Sequence, residues 1–300
     1  MECGTGAGRY APSPSGDLHL GNLRTAMVAW LLARTTGRRF LLRIEDLDAQ
    51  RSDPVVAERQ VADLTALGLD FDPPQWTQSA RFDRYTAAIE ALGPDGTYEC
   101  FCTRREIAEA TRAPHGRVGF YPGTCADLSE AQRARRRRDR PAALRVRAGA
   151  VVSTVRDRWQ GEVREVVDDF VVRRNDGTPA YNLAVVVDDA ESGVDQVVRG
   201  ADLLDSAPRQ AWLARTLGWP APAYAHVPLA VNADGVRLAK RDGAVTVADL
   251  ADRGVGVEQV VSRIAASLGL ASEGEQVTMS ELAARFDPGQ LPRAPWVVTA

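Results

Sequence analysis

Three stretches carry residue types from which chemistry could be built. The first is a loop in which Ser13, Ser15 and Gly16 precede His19-Leu20-Gly21-Asn22 at the start of a helix-like stretch. A helix start offers unpaired N–H groups and a partial positive charge, which suits phosphate, and Gly21 lets a ligand approach closely. His19 could donate a hydrogen bond to phosphate oxygens; the plain alternative is a capped helix with a surface histidine. The second is Arg237-Leu-Ala-Lys240-Arg241, after a turn at Asn232-Ala-Asp-Gly235. Of the 37 basic residues only Lys240 is a lysine. An ammonium is a compact, rotatable point charge and a guanidinium a broad fork, so a site shaped for the first rejects the second. Chance placement is the competing explanation.

The third is the thiol set Cys3, Cys100, Cys102 and Cys125. A chain of this length does not need disulfides in a reducing compartment, so a metal site or buried thiols are expected. Cys100, Cys102 and Cys125 would form most of a tetrahedral zinc site, with His115, Tyr121, water or Cys3 open as the fourth ligand.

The elements that must position these residues follow from periodicity. Arg9–Ala11 is a short strand, Pro12–Gly16 breaks regularity, and Leu20, Leu23, Met27 and Leu31 recur at helical spacing up to Gly37. Phe40–Ile44 reads as a strand; Asp53 caps and Pro54 opens a helix that runs to Gly68. Such alternation implies a parallel sheet with helices on its faces. Between Tyr98 and Asp176 the character changes, with clustered cysteines, the arginine run Arg133–Arg140, and strand-like pieces at Ala143–Arg147, Val151–Val155 and Phe170–Arg173. Leu183–Val187 is expected to be a strand buried on both faces, with further strands at Val194–Val198 and Tyr224–Val231, a helix over Ala207–Leu217, and helices after residue 240.

The 300 residues, with 45% hydrophobic and 26% charged, exclude wholesale disorder and collagen-like repeats. The longest apolar run, around Met27–Ala33, is far short of the roughly 18 residues a membrane helix needs. The start lacks a basic-then-apolar signal pattern, so a cytoplasmic location and no membrane partner are expected. A net charge of −3 advertises no global nucleic-acid field, so any such surface is local, with Arg133–Arg140 as its candidate or else as a solvated helix face.

RYAPSPSGDLHLGN resembles the first signature of class I aminoacyl-tRNA synthetases of the glutamyl branch, and RLAKRDG resembles their second, the lysine loop. With RIEDLD, YNLAVVVDD and VVRGADLL between them, the resemblance covers roughly residues 8–245. Being short, with no room for anticodon-binding helices after Lys240, the chain most resembles the glutamyl-Q tRNA(Asp) branch. That branch activates glutamate with ATP and transfers it to queuosine in the anticodon loop of tRNA(Asp). A shortened enzyme charging tRNA 3′ ends and a non-catalytic paralogue that binds tRNA or glutamate are the alternatives.

The resemblance implies an α/β fold: a Rossmann-type parallel-sheet catalytic domain in two halves, 1–97 and 177–236. Between them lies an inserted zinc-bearing, acceptor-type α+β subdomain, 98–176, and after them a lysine loop with a short helical, stem-contacting segment, 237–300. It places glutamate on Arg9, Tyr10, Ala11, Pro12, Ser13, Glu45, Tyr181 and Arg199, with Arg9 on the side-chain carboxylate and Glu45 on the ammonium. Taken alone, Glu45 and Arg199 could equally be an ion pair, and Tyr181 a core residue. ATP falls on Ser13, His19, Gly21, Asn22 and Lys240, with His19 and Lys240 catalytic and Mg2+ accompanying the triphosphate. Structural Zn2+ falls on Cys100, Cys102, Tyr121 and Cys125. A monomer is expected. Two departures stand out: Asn22 replaces a second histidine, and Ala239 replaces the usual serine, removing a hydroxyl worth about 1 kcal/mol.

Overall fold

The computed structural model describes residues 6–111, 120–238 and 245–298. Strand β1 (Ala7–Tyr10) runs into the serine-rich loop and then α1 (Leu20–Thr35). Helix α1 is buried almost all round from Ala26 to Ala33, because the sheet packs on one side of it and the C-terminal helices on the other. β2 (Arg39–Ile44) follows, then α2 (Pro54–Ala66), opened by Asp53, whose carboxylate accepts from Val55 N at 2.8 Å. β3 (Asp72–Thr77) and α3 (Phe82–Ala91) complete this half.

Next come β4 (Thr97–Cys100), α4 (Arg104–Thr111), α5 (Glu130–Asp139), β5 (Ala143–Val146), β6 (Val151–Asp157), β7 (Gly161–Val167) and β8 (Val171–Arg173). They divide between two sheets. β4, β5 and β8 form a three-stranded antiparallel sheet, whereas the β6–β7 hairpin joins the edge of the main sheet through β6. After α6 (Tyr181–Glu191), β9 (Val194–Gly200), α7 (Ala207–Thr216) and β10 (Ala223–Val227), the main sheet has the order β3-β2-β1-β9-β10-β6-β7. All its pairings are parallel except β6–β7. Strand order reverses between β1 and β9, and a sheet of this type binds ligands in the crevice at the carboxyl ends of its strands beside such a reversal.

One expected strand is a helix. Leu183–Val187 lies within α6, where Leu183, Ala184, Val186 and Val187 pack with Tyr85 of α3 and Leu213 of α7. Burial on all sides erased the amphipathic pattern, and the valines mimicked a strand. The expected strand at Tyr224–Val231 is split into β10 and a separate β11 (Ala230–Val231). Of the C-terminal residues, α8 (Val247–Ala251), α9 (Val257–Ser267) and α10 (Met279–Arg285) are helical, and β12 (Trp296–Val297) pairs in parallel with β11. Among the described residues no helix is long and apolar enough to cross a membrane.

Candidate active site and thiol cluster

A cavity of about 530 Å³ opens at the reversal between β1 and β9. Arg9 and Tyr10 reach it from the end of β1, and Ala11, Pro12 and Ser13 from the loop beyond; His19, Gly21 and Asn22 come from the opening of α1. Glu45 enters from the end of β2, Tyr181 from the first position of α6, and Arg199 from the end of β9. Every nucleotide- and glutamate-binding residue expected from the sequence therefore meets in one place, except Lys240, which with Ala239 lies outside the described residues. Arg237 and Leu238, just before it, do line the cavity.

The loop is held from below and beside. Gln60 of α2, buried, donates through Nε2 to the carbonyls of Ser13 (3.1 Å) and Gly16 (2.6 Å), and Glu45 N donates to Pro12 O at 2.9 Å. At the helix opening, His19 Nδ1 accepts from Gly21 N (3.0 Å) and Asn22 N (3.3 Å), while Asn22 Oδ1 accepts from His19 N. The helix start expected to present N–H groups at Gly21 and Asn22 thus has both of them engaged by its own histidine. With Nδ1 accepting, the neutral ring carries its proton on Nε2. Gly21 is required by close approach: a Cβ there would lie 2.9 Å from Ala230 Cβ and 3.0 Å from the His19 ring.

Behind the cavity lies a buried ionic network that sequence reasoning did not single out. Asp189 accepts from Arg9 Nε (3.2 Å) and Arg43 Nη1 (2.6 Å), and Arg43 Nη2 donates to Glu45 at 3.0 Å. Asp188, fully buried, accepts from Gln78 (2.8 Å), Arg81 (2.7 Å) and the Tyr85 hydroxyl. Burial raises the Glu45 carboxyl above the usual carboxylate range, and Arg43 and Arg9 offset this only in part. Burial opposes ionisation of Asp189 too, but there Arg9 and Arg43 prevail and hold it below that range.

Glu45 and Arg199 do not pair with each other. Arg199 donates from Nε to His226 Nε2 (2.9 Å), from Nη1 to Gln210 (2.7 Å) and from Nη2 to Leu203 O (3.2 Å). His226 Nδ1 in turn meets Asp157 Oδ2 at 2.6 Å. Accepting at Nε2 requires a neutral ring with its proton on Nδ1; burial keeps His226 below the usual imidazole range and Asp157 fixes that tautomer. The carboxylates were visible in RIEDLD and VVVDD, but their partners come from distant strands. His226 sits among apolar neighbours in Tyr224–Val227, with no local signal of its role.

The thiols converge as expected. Sγ of Cys100, Cys102 and Cys125 lie within 4.8 Å of one another. The Tyr121 hydroxyl is 3.3 Å from Cys100 Sγ and 3.8 Å from Cys102 Sγ, and it accepts from Cys125 N at 3.0 Å. Ligands about 2.0–2.3 Å from one tetrahedral ion would be separated by roughly 3.5–3.8 Å, so three sulfurs and one oxygen at these distances fit zinc. Tyr121 is fixed from outside: Arg145 stacks on its ring at 3.6 Å, and its N–H donates to Asp168 at 2.8 Å. The other fourth ligands considered, Cys3 and His115, lie outside the described residues.

Similarity to known proteins agrees with this geometry. The family described as tRNA synthetases class I (E and Q), catalytic domain, matches residues 7–299. The chain is 62% identical over 296 residues to a glutamyl-Q tRNA(Asp) synthetase of Nocardia farcinica, covering 98% of this chain and 93% of the relative. It is 46% identical to one of Symbiobacterium thermophilum, covering 96% and 94%. A glutamate tRNA ligase of Elizabethkingia meningosepticum, solved in complex with its amino acid, superposes with a TM-score of 0.84 at 28% identity, over 99% of this chain and 67% of that one. Signature order, strand topology and full-length similarity agree, and the chain belongs to the glutamyl-Q tRNA(Asp) synthetase family, within the class I tRNA synthetases.

Proposed function

We propose that the chain is a ligase that activates glutamate with ATP and transfers it to queuosine in the anticodon loop of tRNA(Asp). The observation that carries this reading is the convergence of Arg9–Ser13, His19, Glu45, Tyr181 and Arg199 on one cavity, in a chain whose relatives bear that activity in their names. Glutamate brings two carboxylates and an ammonium. Arg9 and Arg199 are oriented by buried partners and serve the carboxylates, Arg9 that of the side chain; Glu45 serves the ammonium. The α-carboxylate attacks the α-phosphorus of ATP, forming glutamyl-adenylate and releasing pyrophosphate. The nucleophile is already ionised, so alignment and neutralisation of phosphate charge account for the rate.

Because the cap occupies the N–H groups of Gly21 and Asn22, the phosphate contact passes to His19 Nε2–H, with Gly21 keeping the approach open and Lys240 on the triphosphate. Mg2+, bound with ATP, would supply neutralisation of the departing pyrophosphate. A queuosine ring hydroxyl then attacks the adenylate carbonyl and AMP leaves. Cys100, Cys102, Tyr121 and Cys125 would hold Zn2+, and four protein ligands leave no open position, so its role is structural.

The test is transfer of labelled glutamate, with ATP, to tRNA(Asp) carrying queuosine, to the same tRNA lacking it, and to tRNA(Glu). Label confined to the queuosine tRNA and surviving prior periodate oxidation of its 3′ end is the expected result. Label on tRNA(Glu), lost after oxidation, would make this a charging enzyme, and no label on any of them would make it a binding paralogue.

A further inference from the structure

Two further cavities continue the first. One, of about 820 Å³, shares Ser13, Glu45 and Tyr181 with it, so the two meet where the activated glutamate would form. The next, of about 350 Å³, shares Phe101 and Arg140 with the second and lies along α5. The three make one track from the active site, past the thiol cluster, to the arginine-rich helix.

The charge along this track is opposite to that of the molecule. The second cavity carries Arg104, Arg140, Arg145, Arg174 and Arg209 against Glu45 and Asp48, in a chain of net charge −3. On α5 the arginines fall into two groups. Arg133 and Arg137 pair with Glu130 within the helix, while the pairs of Arg137 with Glu99 and of Arg140, just beyond the helix, with Glu106 fasten it to its surroundings. Arg135 and Arg136 line the third cavity and, like Arg104 in the second, make no ion pair among the described residues. Arg138 is equally unpaired but lines none of the three cavities.

Guanidinium groups left unpaired along a groove suit regularly spaced phosphates, and the exposed ring of Tyr181 at the junction offers a face for a base. We infer that the RNA strand bearing the acceptor nucleoside lies along this track, with phosphates against Arg104, Arg135 and Arg136 and the reacting nucleoside in the second cavity. This rests on the glutamate-transfer reading above and adds the path of the partner.

The test measures tRNA binding against salt for the full chain, with Arg135→Gln/Arg136→Gln, Arg104→Gln and Arg138→Gln variants. Each lost phosphate contact should lower the log–log salt slope by about 0.7, so by about 1.4 for the double variant. If affinities converge at 1 M salt, the double variant binds about 25-fold more weakly at 0.1 M. Arg138→Gln should behave as the parent chain. An unchanged slope in the double variant and in Arg104→Gln, or an equal loss in Arg138→Gln, would overturn the track. Glutamate-dependent ATP–pyrophosphate exchange is followed in parallel. Normal exchange with an unaltered slope sinks only the track, whereas no exchange in the parent chain sinks the underlying reading.

Discussion

The active-site cavity and the three-stranded unit solve positioning in opposite ways. Around the cavity, Arg9, Arg43, Glu45 and Asp189 sit at side-chain exposures of 9% or less, and their charges orient one another inside the main core. At the thiol-bearing end of the three-stranded unit the core is small, Tyr98, Cys100, Phe101, Tyr121 and Cys125, and α5 buries no residue at all, whereas Val146 of β5 and Val172 of β8 pack with α3, α6 and α7. The ion pairs of α5 are solvent-facing, with Arg137 45% and Glu130 65% exposed. A core that small fixes little geometry by apolar packing alone, and in the zinc site proposed above the thiol cluster would take over that task. The chemistry that needs fixed atoms is placed in the deep region. On the RNA path inferred above, the surface that meets the large, charged partner is placed in the shallow one.

That contrast can be broken deliberately. Asp188→Ala should cost about 3–5 kcal/mol in denaturant unfolding, because Arg81 and Arg43 lose a buried counter-charge. Cys125→Ala should abolish metal binding and speed amide exchange in β4 and β5 by roughly 100-fold while β1 and β9 keep their protection, a local loss of about 3 kcal/mol; full zinc retention would show the ligand set to be wrong. His226→Phe removes the acceptor that aims Arg199 and should raise KM for glutamate by roughly 10- to 100-fold, the value of one hydrogen bond to a charged group, with a smaller effect on kcat. Restoration by His226→Gln would separate aiming from mere packing.

Activity should also respond to pH through Glu45. An ammonium partner must be ionised, so kcat/KM for glutamate should fall tenfold per unit as pH drops below a value above the ordinary carboxylate range, and Glu45→Gln should lose that limb. The two carboxyls act oppositely on stability. Glu45, raised, favours the folded chain below its unfolded value, an advantage that disappears as pH rises through the folded one. Asp189, lowered, contributes above its unfolded value and is lost as acid carries pH through the folded one. At the small end, Arg137→Ala should change stability by less than about 1 kcal/mol, since its pairs with Glu99 and Glu130 are exposed.

Much of the fold was legible where local rules agreed. Asp53-Pro54 announced α2, Gly218 and Pro220 closed α7, and the spacing of Leu20, Leu23, Met27 and Leu31 gave α1 its register. Leu183–Val187 misled because a helix buried on every side has no polar face to betray its period. The signature residues of the cavity were legible because they stand in contiguous runs. Arg43, Asp157, Asp188, Asp189 and His226 were not, since each acquires its function only from a partner brought in by the sheet order. The helix cap taught a different lesson: spacing identified His19, Gly21 and Asn22 as one group, yet whether their N–H groups face a ligand or one another is a matter of rotamer.

The stretch carrying RLAKRDG is bracketed by two fixed ends. Leu238 N donates to Ala230 O on one side, and on the other Val245 O accepts from Leu20 N while Thr246 bridges to His19. The two signatures, more than 200 residues apart in the chain, are thus closed into a ring by hydrogen bonds at the very residue that caps α1. The entropy of closing so long a loop grows only with the logarithm of its length, and it is met once, when the chain folds. On the function proposed above, the residues flanking the lysine loop, Leu238 and Val245, are then already held beside the α1 cap before a triphosphate arrives.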